Sequence, residues 1–284
     1  MKSYSRKEIL GSLHKKIKIK EPIIIGSAGV GIIAKCADMV GIDLLMAYNT
    51  GPFRMNGHPS CIGYLPYGDC NAITMDLGHI FCNVVKNTPV IAGVGAADPY
   101  RDIERFVEQL LAMNFSGITN VPTSGVYTHW FRERIDSAGV GYPEEIKMVR
   151  LCHKKDIFTI AYVFTEEEIR AMIDAGVDAI GIHVGATSGG AVGWQGAISM
   201  DEACENIQHL YEFAIVENPN LIVTVHGGPL ESPKEVQECF SRTDVHGFIG
   251  ASSIERLPVE EAIFKVVKEY KSLKLKSLDI IVND

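Results

Sequence analysis

Residues 158–184 read FTIAYVFTEEEIRAMIDAGVDAIGIHV and contain one complete strand–helix–strand unit. Two apolar, β-branched runs, Phe158–Phe164 and Ala179–Val184, flank a segment with apolar residues at helical spacing. Thr165 precedes three glutamates as a helix cap does, and Gly176 stands where a left-handed residue ends a helix. Strands that are apolar throughout are typical of a parallel sheet, whose strands need helical crossovers. This stretch therefore predicts a parallel α/β fold.

The same unit recurs along the chain. The predicted strands are Pro22–Ile25, Asp43–Asn49, Pro89–Val94, Gly117–Val121, Phe158–Phe164, Ala179–Val184, Leu221–His226 and Gly247–Ala251. The predicted helices are Val30–Met39, Asn71–Val85, Ile103–Met113, Pro143–Lys154, Glu166–Asp174, Met200–Val216, Pro233–Phe240 and Pro258–Tyr270. Ser199 and Ser232 are further helix caps. Eight alternating units predict a (β/α)8 TIM barrel, a single domain over residues 1–284, with residues 1–20 as an added helix below the barrel.

Length, composition and charge limit the classes of function. The 284 residues suit one barrel, and 46% hydrophobic with 22% charged residues is ordinary for a globular protein. The formal net charge of −8 argues against a general binder of nucleic acid or of anionic membranes. We expect a small anionic metabolite as the partner, held by local donors.

The distribution of apolar residues and cysteines indicates the compartment. No stretch of about 18 apolar residues and no signal-peptide core occurs, so we expect a cytoplasmic protein. The seven cysteines stand singly, without a C-x-x-C pair, which favours free thiols and argues against structural zinc.

Active sites of this fold lie at the carboxyl ends of the strands, so polar and small residues there are the candidates. They are Ser27 and Gly29 after strand 1, Asn49 after strand 2, Asp98 after strand 3, Asn120 after strand 4, His183 after strand 6, His226, Gly227 and Gly228 after strand 7, and Ser252 and Ser253 after strand 8. No lysine falls at a strand end, so a Schiff-base mechanism has no candidate nucleophile.

Two of these groups predict an anion site. The turns HGGP (226–229) and GASS (250–253) follow strands 7 and 8, where TIM barrels usually bind phosphate, although the glycines could serve only close packing. The glycine-rich turn 26–31 gives a weaker signal of the same kind. Arg54, in the long connection Thr50–Asp69, is the candidate clamp for a carboxylate or phosphate; its alternative is a solvated charge.

Two histidines and one aspartate predict the catalytic groups. His183 and His226 end adjacent strands and are candidate general acids or bases, the alternative being buried core histidines. Asp98 could bind Mg²⁺ or act as a base, or could cap the following helix. The connections Thr50–Asp69 and Pro122–Tyr142 also follow strand ends and are long enough to surround a ligand, and Gly185–Ala197 is rich enough in glycine to be mobile.

Several segments in order resemble the phosphoenolpyruvate hydrolase-like family, also described as TIM-barrel signal-transduction proteins. The segments are GSAGVGIIAKCA (26–37), AYNTGPFRM (47–55), LPYGDCNAI (65–73), PVIAGVGAADPYRD (89–102), GYPEEIKMVRLCHKKD (141–156), AYVFTEEEIRAM (161–172), HGGP (226–229) and HGFIGASSIERLP (246–258). The resemblance implies the barrel and a relation to phosphoenolpyruvate and phosphonopyruvate chemistry, in which related barrels hold a pyruvate-like enolate with Mg²⁺. Asn49, Arg54, Asp69, Asp98, His226, Gly227, Gly228, Ser252 and Ser253 lie in the matching stretches.

These observations lead to two hypotheses. The first is a metal-assisted hydrolase of a small phosphorylated or phosphonylated 2-oxo acid, with Mg²⁺ at Asp98, Arg54 on the carboxylate and His183 or His226 moving protons. The second is a barrel that binds a metabolite and signals without turnover. In both cases we expect a homo-oligomer, because barrels of this kind commonly bury outer helix faces against copies of themselves.

Overall fold

The computed structural model describes residues 1–196 and 198–276, and its centre is a closed barrel of eight parallel strands. Each strand pairs with the next, and β8 pairs with β1. The strands are β1 (Ile23–Ser27), β2 (Leu44–Ala47), β3 (Val90–Gly93), β4 (Gly117–Thr119), β5 (Phe158–Val163), β6 (Ala179–His183), β7 (Ile222–His226) and β8 (Gly247–Gly250). The predicted TIM barrel is confirmed, with strand bounds that differ from the prediction by at most two residues.

Eleven α-helices surround the strands in the described part of the chain. They are α1 (Arg6–Lys18), α2 (Gly31–Met39), α3 (Thr50–Met55), α4 (Cys70–Val84), α5 (Ile103–Ala112), α6 (His129–Ser137), α7 (Tyr142–Lys154), α8 (Glu166–Ala175), α9 (Met200–Glu217), α10 (Pro233–Arg242) and α11 (Arg256–Lys271). Thr165, Ser199 and Ser232 accept hydrogen bonds from the first turns of their helices, as predicted. Gly176 ends α8 at φ 89°, in the left-handed region.

The interior of the barrel is filled by side chains that alternate along the strands, such as Ile25, Met46 and Ile160. At the amino-terminal end of the strands, Ile9 and Leu13 of α1 pack into this same cluster and are almost fully buried. Helix α1 therefore closes the bottom of the barrel, which confirms the predicted N-terminal helix.

The long connections at the opposite end are more regular than the sequence indicated. The segment Thr50–Asp69 contains α3 and a 3-10 helix at Ser60–Tyr64, and Pro122–Tyr142 contains α6 and a 3-10 helix at Ser124–Val126. The connection Gly185–Ala197 is formed by turns up to residue 196, and Ala197 lies outside the described residues, as do residues 277–284 of the predicted domain. Over residues 1–196 and 198–276, no helix has the length and apolar character needed to cross a membrane.

Candidate functional site

The upper end of the barrel interior is lined by polar and aromatic side chains. Strand alternation turns Ser27, Tyr48, Tyr162, His183 and His226 inward, because each lies two or four residues beyond an inward-facing core residue. The Tyr162 ring lies 5.5 Å from the His183 ring and 5.1 Å from the His226 ring, measured between centroids. The barrel mouth is therefore a compact group of hydrogen-bonding side chains.

The two predicted histidines lie side by side, with ring centroids 4.9 Å apart. His226 Nδ1 lies 2.7 Å from the carbonyl oxygen of Ile249, so Nδ1 carries the proton and donates, leaving Nε2 as an acceptor. His183 Nδ1 accepts the N–H of Gly185 at 3.1 Å, so in its neutral form the proton is on Nε2. The local backbone thus gives the neighbouring rings opposite tautomers. Nε2 is an acceptor in His226 and a donor in His183.

Burial keeps both rings neutral. Desolvation lowers the pKa of His226 to about 4, and the positive charge of Arg54 acts in the same direction. Desolvation, together with His226, lowers the pKa of His183 well below its ordinary value. An anion bound between them would favour the protonated forms and raise both pKa values.

Arg54 lies at the barrel mouth but is buried, in an ion pair that the sequence did not indicate. Its guanidinium Nη2 is 2.6 Å from Glu255 Oε1, and Glu255 Oε2 accepts the N–H of Gly29 at 2.7 Å. The exposed fractions of the two residues are 3% for Arg54 and 0% for Glu255. Burial raises the pKa of Glu255, and the Arg54 charge and the Gly29 N–H oppose that rise. The alternative interpretation, that Arg54 is a solvated charge in the connection, is wrong.

The remaining donors of Arg54 are also engaged. Its Nη2 donates to Ser27 Oγ at 2.7 Å, and Nη1 donates to Thr50 Oγ1 at 2.6 Å and to Ser60 Oγ at 3.4 Å. With Nε and Nη2 on Glu255, all five N–H groups have partners. A ligand carboxylate would have to displace one of them, so Arg54 as a ligand clamp stays a prediction, and its observed role is to join α3 to the turns after β1 and β8.

The two predicted asparagines also serve the scaffold. Asn120 accepts the N–H of Tyr162 at 2.7 Å and donates to Glu145 Oε2 at 2.6 Å. Asn49 donates to the Gly63 carbonyl at 2.6 Å, and its buried Oδ1 has no partner among the described residues. The buried Oδ1 of Asn49 is therefore an acceptor without a partner among the described residues, whereas Asn120 has its side-chain groups engaged.

Glu145 of α7 is a buried acid beside the mouth that the sequence did not single out. Its carboxylate accepts from Ser124 N and Oγ, Thr123 Oγ1 and Asn120 Nδ2, at 2.6–2.7 Å. Desolvation nevertheless raises the pKa of Glu145 to about 7. This carboxyl group fastens the turn after β4 and titrates near neutral pH.

The glycine turn after β7 is built for close packing. Gly227 and Gly228 have φ values of 86° and 58°, and a Cβ on Gly227 would lie 2.0 Å from the Gly185 carbonyl oxygen. The Gly228 N–H donates to that same oxygen at 2.9 Å, so it is not free for an anion. In the turn after β8, Ser253 Oγ is buried without a partner in the described chain. The polar end of the predicted phosphate site is therefore Ser252–Ser253, and the site itself stays a prediction.

Asp98 is held in a second cluster near the mouth, with Arg101. Its Oδ2 accepts from Arg101 Nη1 at 2.6 Å and from Asn71 Nδ2 at 2.8 Å, and its Oδ1 accepts the Tyr100 N–H at 2.8 Å. The alternative role of Asp98 as a helix cap is wrong, because Asp102 caps α5. Hydrogen bonds and Arg101 hold the pKa of Asp98 below its ordinary value despite burial.

The surroundings of Asp98 do not fit the predicted Mg²⁺. A second carboxylate, Asp69, lies 2.6 Å from Arg101 Nη2, so the guanidinium occupies the space between the two acids. Within residues 1–196 and 198–276 no three His, Cys, Asp or Glu side chains converge as metal ligands. As arranged, Arg101 pairs with both carboxylates, and a hard cation would have to displace its guanidinium to reach the space between them.

A cleft of about 670 Å³ opens beside the mouth, between the connections that follow β2, β3 and β4. Its walls include Tyr64, Asp98, Arg101, Phe131 and Glu145. Burial raises the pKa of Tyr64, and nearby Tyr48 and Glu145 act in the same direction. The cleft is large enough for a ligand of small-molecule size.

Sequence reasoning missed Tyr48, Tyr64, Tyr162, Glu145 and Glu255. Strand alternation could have found Tyr48 and Tyr162, which have the parity of the inward residues on their strands. The other three depend on connections that fold over the barrel, for which one sequence carries no periodic signal.

Comparison with known proteins identifies relatives across most of the chain. A model of the phosphoenolpyruvate hydrolase-like family matches residues 8–273. The chain is 41% identical over 272 residues to the ToMV resistance protein Tm-1(GCR237) of Solanum lycopersicum, a match that covers 95% of this chain and 36% of that protein. It is 30% identical over 271 residues to the putative transcriptional regulatory protein y4pA of Sinorhizobium fredii (strain NBRC 101917 / NGR234), covering 95% of this chain and 44% of that protein. The chain thus spans less than half the length of these curated relatives.

Solved structures share the fold at low sequence identity. A phosphonopyruvate hydrolase in complex with oxalate and Mg²⁺ has a TM-score of 0.60 at 15% identity, covering 98% of this chain and 94% of that chain. Oxaloacetate acetylhydrolase in complex with the product oxalate has a TM-score of 0.60 at 16% identity, covering 99% and 92%. A 2,3-dimethylmalate lyase of the PEP mutase/isocitrate lyase superfamily has a TM-score of 0.58 at 17% identity, covering 97% and 92%. These likenesses establish the shared barrel.

Proposed function

The chain belongs to the phosphoenolpyruvate hydrolase-like family, and we propose that it hydrolyses a small anionic 2-oxo acid of the phosphonopyruvate or phosphoenolpyruvate type. The observation that carries the proposal is the pair of adjacent neutral histidines with opposite tautomers at the barrel mouth. Such a pair supplies one proton acceptor, His226 Nε2, and one hydrogen-bond donor, His183 Nε2–H, within one ligand's reach. The solved structures of similar fold include enzymes that act on acids of this size, which agrees with the proposal.

In the proposed reaction, His226 Nε2 accepts a proton from water as the water oxygen bonds to phosphorus. The bond from phosphorus to carbon, or to the enol oxygen, breaks with its electron pair on the pyruvyl fragment. His226 then gives the proton it took from water to that fragment, while His183 Nε2–H donates a hydrogen bond to the substrate, so both rings end neutral and the products are phosphate and pyruvate. The Tyr162 ring lies beside both histidines and can orient the substrate.

The anionic substrate has a further part in this scheme. In the free protein a His226 pKa of about 4 makes the ring a weak base at neutral pH. Substrate charge next to both rings raises their pKa values and prepares them for proton transfer. Substrate phosphate is proposed to bind at Gly227, Ser252 and Ser253, where the buried Ser253 Oγ offers a free hydroxyl. No step runs through Mg²⁺, because the surroundings of Asp98 do not fit it.

The test is release of phosphate and pyruvate from phosphonopyruvate and phosphoenolpyruvate, measured with Mg²⁺ and with EDTA. We expect the parent to be active and His226→Gln and His183→Gln to lose about 10²–10⁴-fold in kcat. His79→Gln is the control, because His79 is exposed on α4. Activity that survives both mouth variants would contradict the proposed roles.

A second candidate is a barrel that binds the same anion without turnover. It is favoured by the complete engagement of Arg54 and by the ion pairs that join Arg101 to Asp69 and Asp98. Calorimetry with the non-reacting anion oxalate separates the two. Binding that depends on the histidines, with no product from any acid tested, would support the binding role and overturn the hydrolase.

A further inference from the structure

The cleft beside the barrel mouth is larger than the substrate proposed above requires. Its volume is about 670 Å³. Cavities of roughly 300–1,000 Å³ hold drug-sized ligands, whereas phosphonopyruvate and phosphoenolpyruvate have a skeleton of only three carbons. The cleft therefore has room for a part of the substrate beyond its acid group, and the chemistry of its walls indicates what that part is.

Most of the cleft wall is apolar. The connection after β4 contributes Phe131 and Ile135 of α6 and also Val140, and the connection after β2 contributes Leu65. The exposed fractions are 41% for Phe131, 47% for Val140 and 47% for Leu65. Large apolar side chains that share one cleft and remain partly exposed mark a binding surface, because a ligand that covers them removes their apolar area from water.

Contacts between the connections order this wall in the free protein. The Tyr127 hydroxyl donates to the Tyr64 carbonyl oxygen at 2.5 Å, and so joins the connection after β4 to the one after β2. The Tyr127 ring packs edge to face on Phe131, with ring centroids 5.0 Å apart. Since the wall is already ordered, a ligand loses little free energy in fixing it.

The charged side chains that line the cleft already have partners. They are Asp69, Asp98, Arg101 and Glu145. The guanidinium of Arg101 lies 2.6 Å from each of the two aspartates, and the Glu145 carboxylate accepts four hydrogen bonds. Three acidic side chains and one basic side chain leave no excess positive charge for a second anionic group of a ligand. An uncharged apolar group is therefore the one that these walls favour.

Residues of the mouth are in direct contact with residues of the cleft. Asn49 donates to the carbonyl oxygen of Gly63, a wall residue of the cleft, at 2.6 Å, and its buried Oδ1 has no partner among the described residues. A Cβ on Gly93, at the end of β3, would lie 2.3 Å from Tyr48 Cβ, and Gly95, two residues further on, lines the cleft. One ligand of moderate length can therefore occupy both places.

We propose that the substrate is a 2-oxo acid of the type named above that carries an uncharged, apolar substituent on its third carbon, and that this substituent lies in the cleft against Leu65, Phe131 and Val140. The inference rests on the proposed function, because it takes the barrel mouth as the place of the acid group. It adds that the preferred substrate is longer than the three-carbon acid and has no second anionic group at its far end. Each methylene that passes from water into the cleft should tighten binding about fourfold.

The experiment is titration calorimetry of the full chain with 2-oxobutyrate, 2-oxohexanoate and 2-oxoadipate, which has the length of 2-oxohexanoate and a terminal carboxylate. We expect 2-oxohexanoate, with two more methylenes, to bind roughly fifteenfold more tightly than 2-oxobutyrate. 2-Oxoadipate should bind no more tightly than 2-oxobutyrate. Phe131→Ser with Val140→Ser should remove the gain from chain length and leave the affinity for 2-oxobutyrate unchanged. Val216→Ser on α9 is the control, because Val216 is 82% exposed and does not line the cleft.

The outcomes separate this inference from the proposed reaction. Equal affinities for the three acids, or a gain from chain length that survives in the double variant, overturn the inference even where phosphonopyruvate is hydrolysed. A gain that the double variant removes supports the inference even where no phosphonylated acid is turned over, and then only the proposed hydrolysis is wrong. If none of the acids binds, the inference is overturned, because mouth and cleft then hold no acid of this class. The substituted side chains are partly exposed, so unchanged far-UV circular dichroism is expected of each variant.

Discussion

The buried Arg54–Glu255 pair leads to a quantitative prediction about stability. Both residues are at most 3% exposed, and the charged atoms are 2.6 Å apart. Replacing one partner leaves the other charge buried without compensation, which costs about 3–5 kcal/mol. For a chain of this size that loss lowers Tm by roughly 6–10 °C. We therefore expect Arg54→Gln and Glu255→Gln each to unfold at clearly lower temperature and lower urea concentration.

The double variant Arg54→Leu with Glu255→Leu tests the cause. Removing both charges removes the uncompensated one, so the loss should fall short of the sum of the single losses by about 3 kcal/mol. The control is Glu217→Gln, which breaks a half-exposed pair with Arg170 and should cost at most about 1 kcal/mol.

Equilibrium urea unfolding measures these differences directly. If Arg54→Gln unfolds like the parent and only loses affinity for anions, Arg54 is a ligand clamp and the structural argument is refuted. Equal and additive losses in the two single variants would also contradict a coupled pair.

Three further predictions concern pH, backbone and ligand. In the folded protein the pKa of Glu145 is about 7, against an ordinary value of 4.5, so its contribution to stability is present below pH 4.5 and lost as pH rises to 7. Compared with Glu145→Gln, the parent should lose about 3 kcal/mol of unfolding free energy between these two pH values, as measured by urea unfolding. His226, with its pKa lowered to about 4, contributes with the opposite sign between pH 4 and 6.5, and only the comparison with the variant isolates Glu145. Gly227→Ala should lower the free energy of unfolding by at least about 3 kcal/mol, because of the left-handed φ and the contact of the new Cβ with Gly185. Gly139→Ala, where φ is 72° but the space around the residue is open, should lower it by about 1 kcal/mol. Equal losses in the two variants would show that the contact with Gly185 is unimportant. Oxalate binding at pH 6 should take up protons in the parent and fewer in His226→Gln, as measured by calorimetry in two buffers; equal uptake would exclude His226 as the group that titrates.

Most of the fold follows from sequence because its signals are local. The apolar runs, the caps at Thr165, Ser199 and Ser232, and the turn at Gly176 each depend on a few neighbouring residues. Strand order then follows from the parallel βα repeat. The direction of α11 could not be predicted in this way, since its pattern is that of an ordinary barrel helix and its course is fixed by contacts of Glu255 and Arg256 with distant segments.

The site was predictable in part. His183 and His226 lie side by side, because they occupy paired positions at the ends of two adjacent strands. The partners of Arg54 and Asp98 were not foreseeable, because Glu255 is 201 residues from Arg54 and Arg101 competes locally for Asp98. The sequence gives the sign of a charged side chain in a connection. Whether that side chain is already ion-paired depends on which distant segment folds over it.

Helix α1 has a consequence for the kinetics of any reaction at the mouth. Its Ile9 and Leu13 close the lower end of a barrel whose interior is already filled, so within the described part of the chain a small molecule reaches the mouth from the side of the histidines. Whatever is made there must leave by the path along which the next molecule arrives. For the proposed hydrolase, product and substrate would therefore use the same passage, and accumulated product is expected to inhibit competitively.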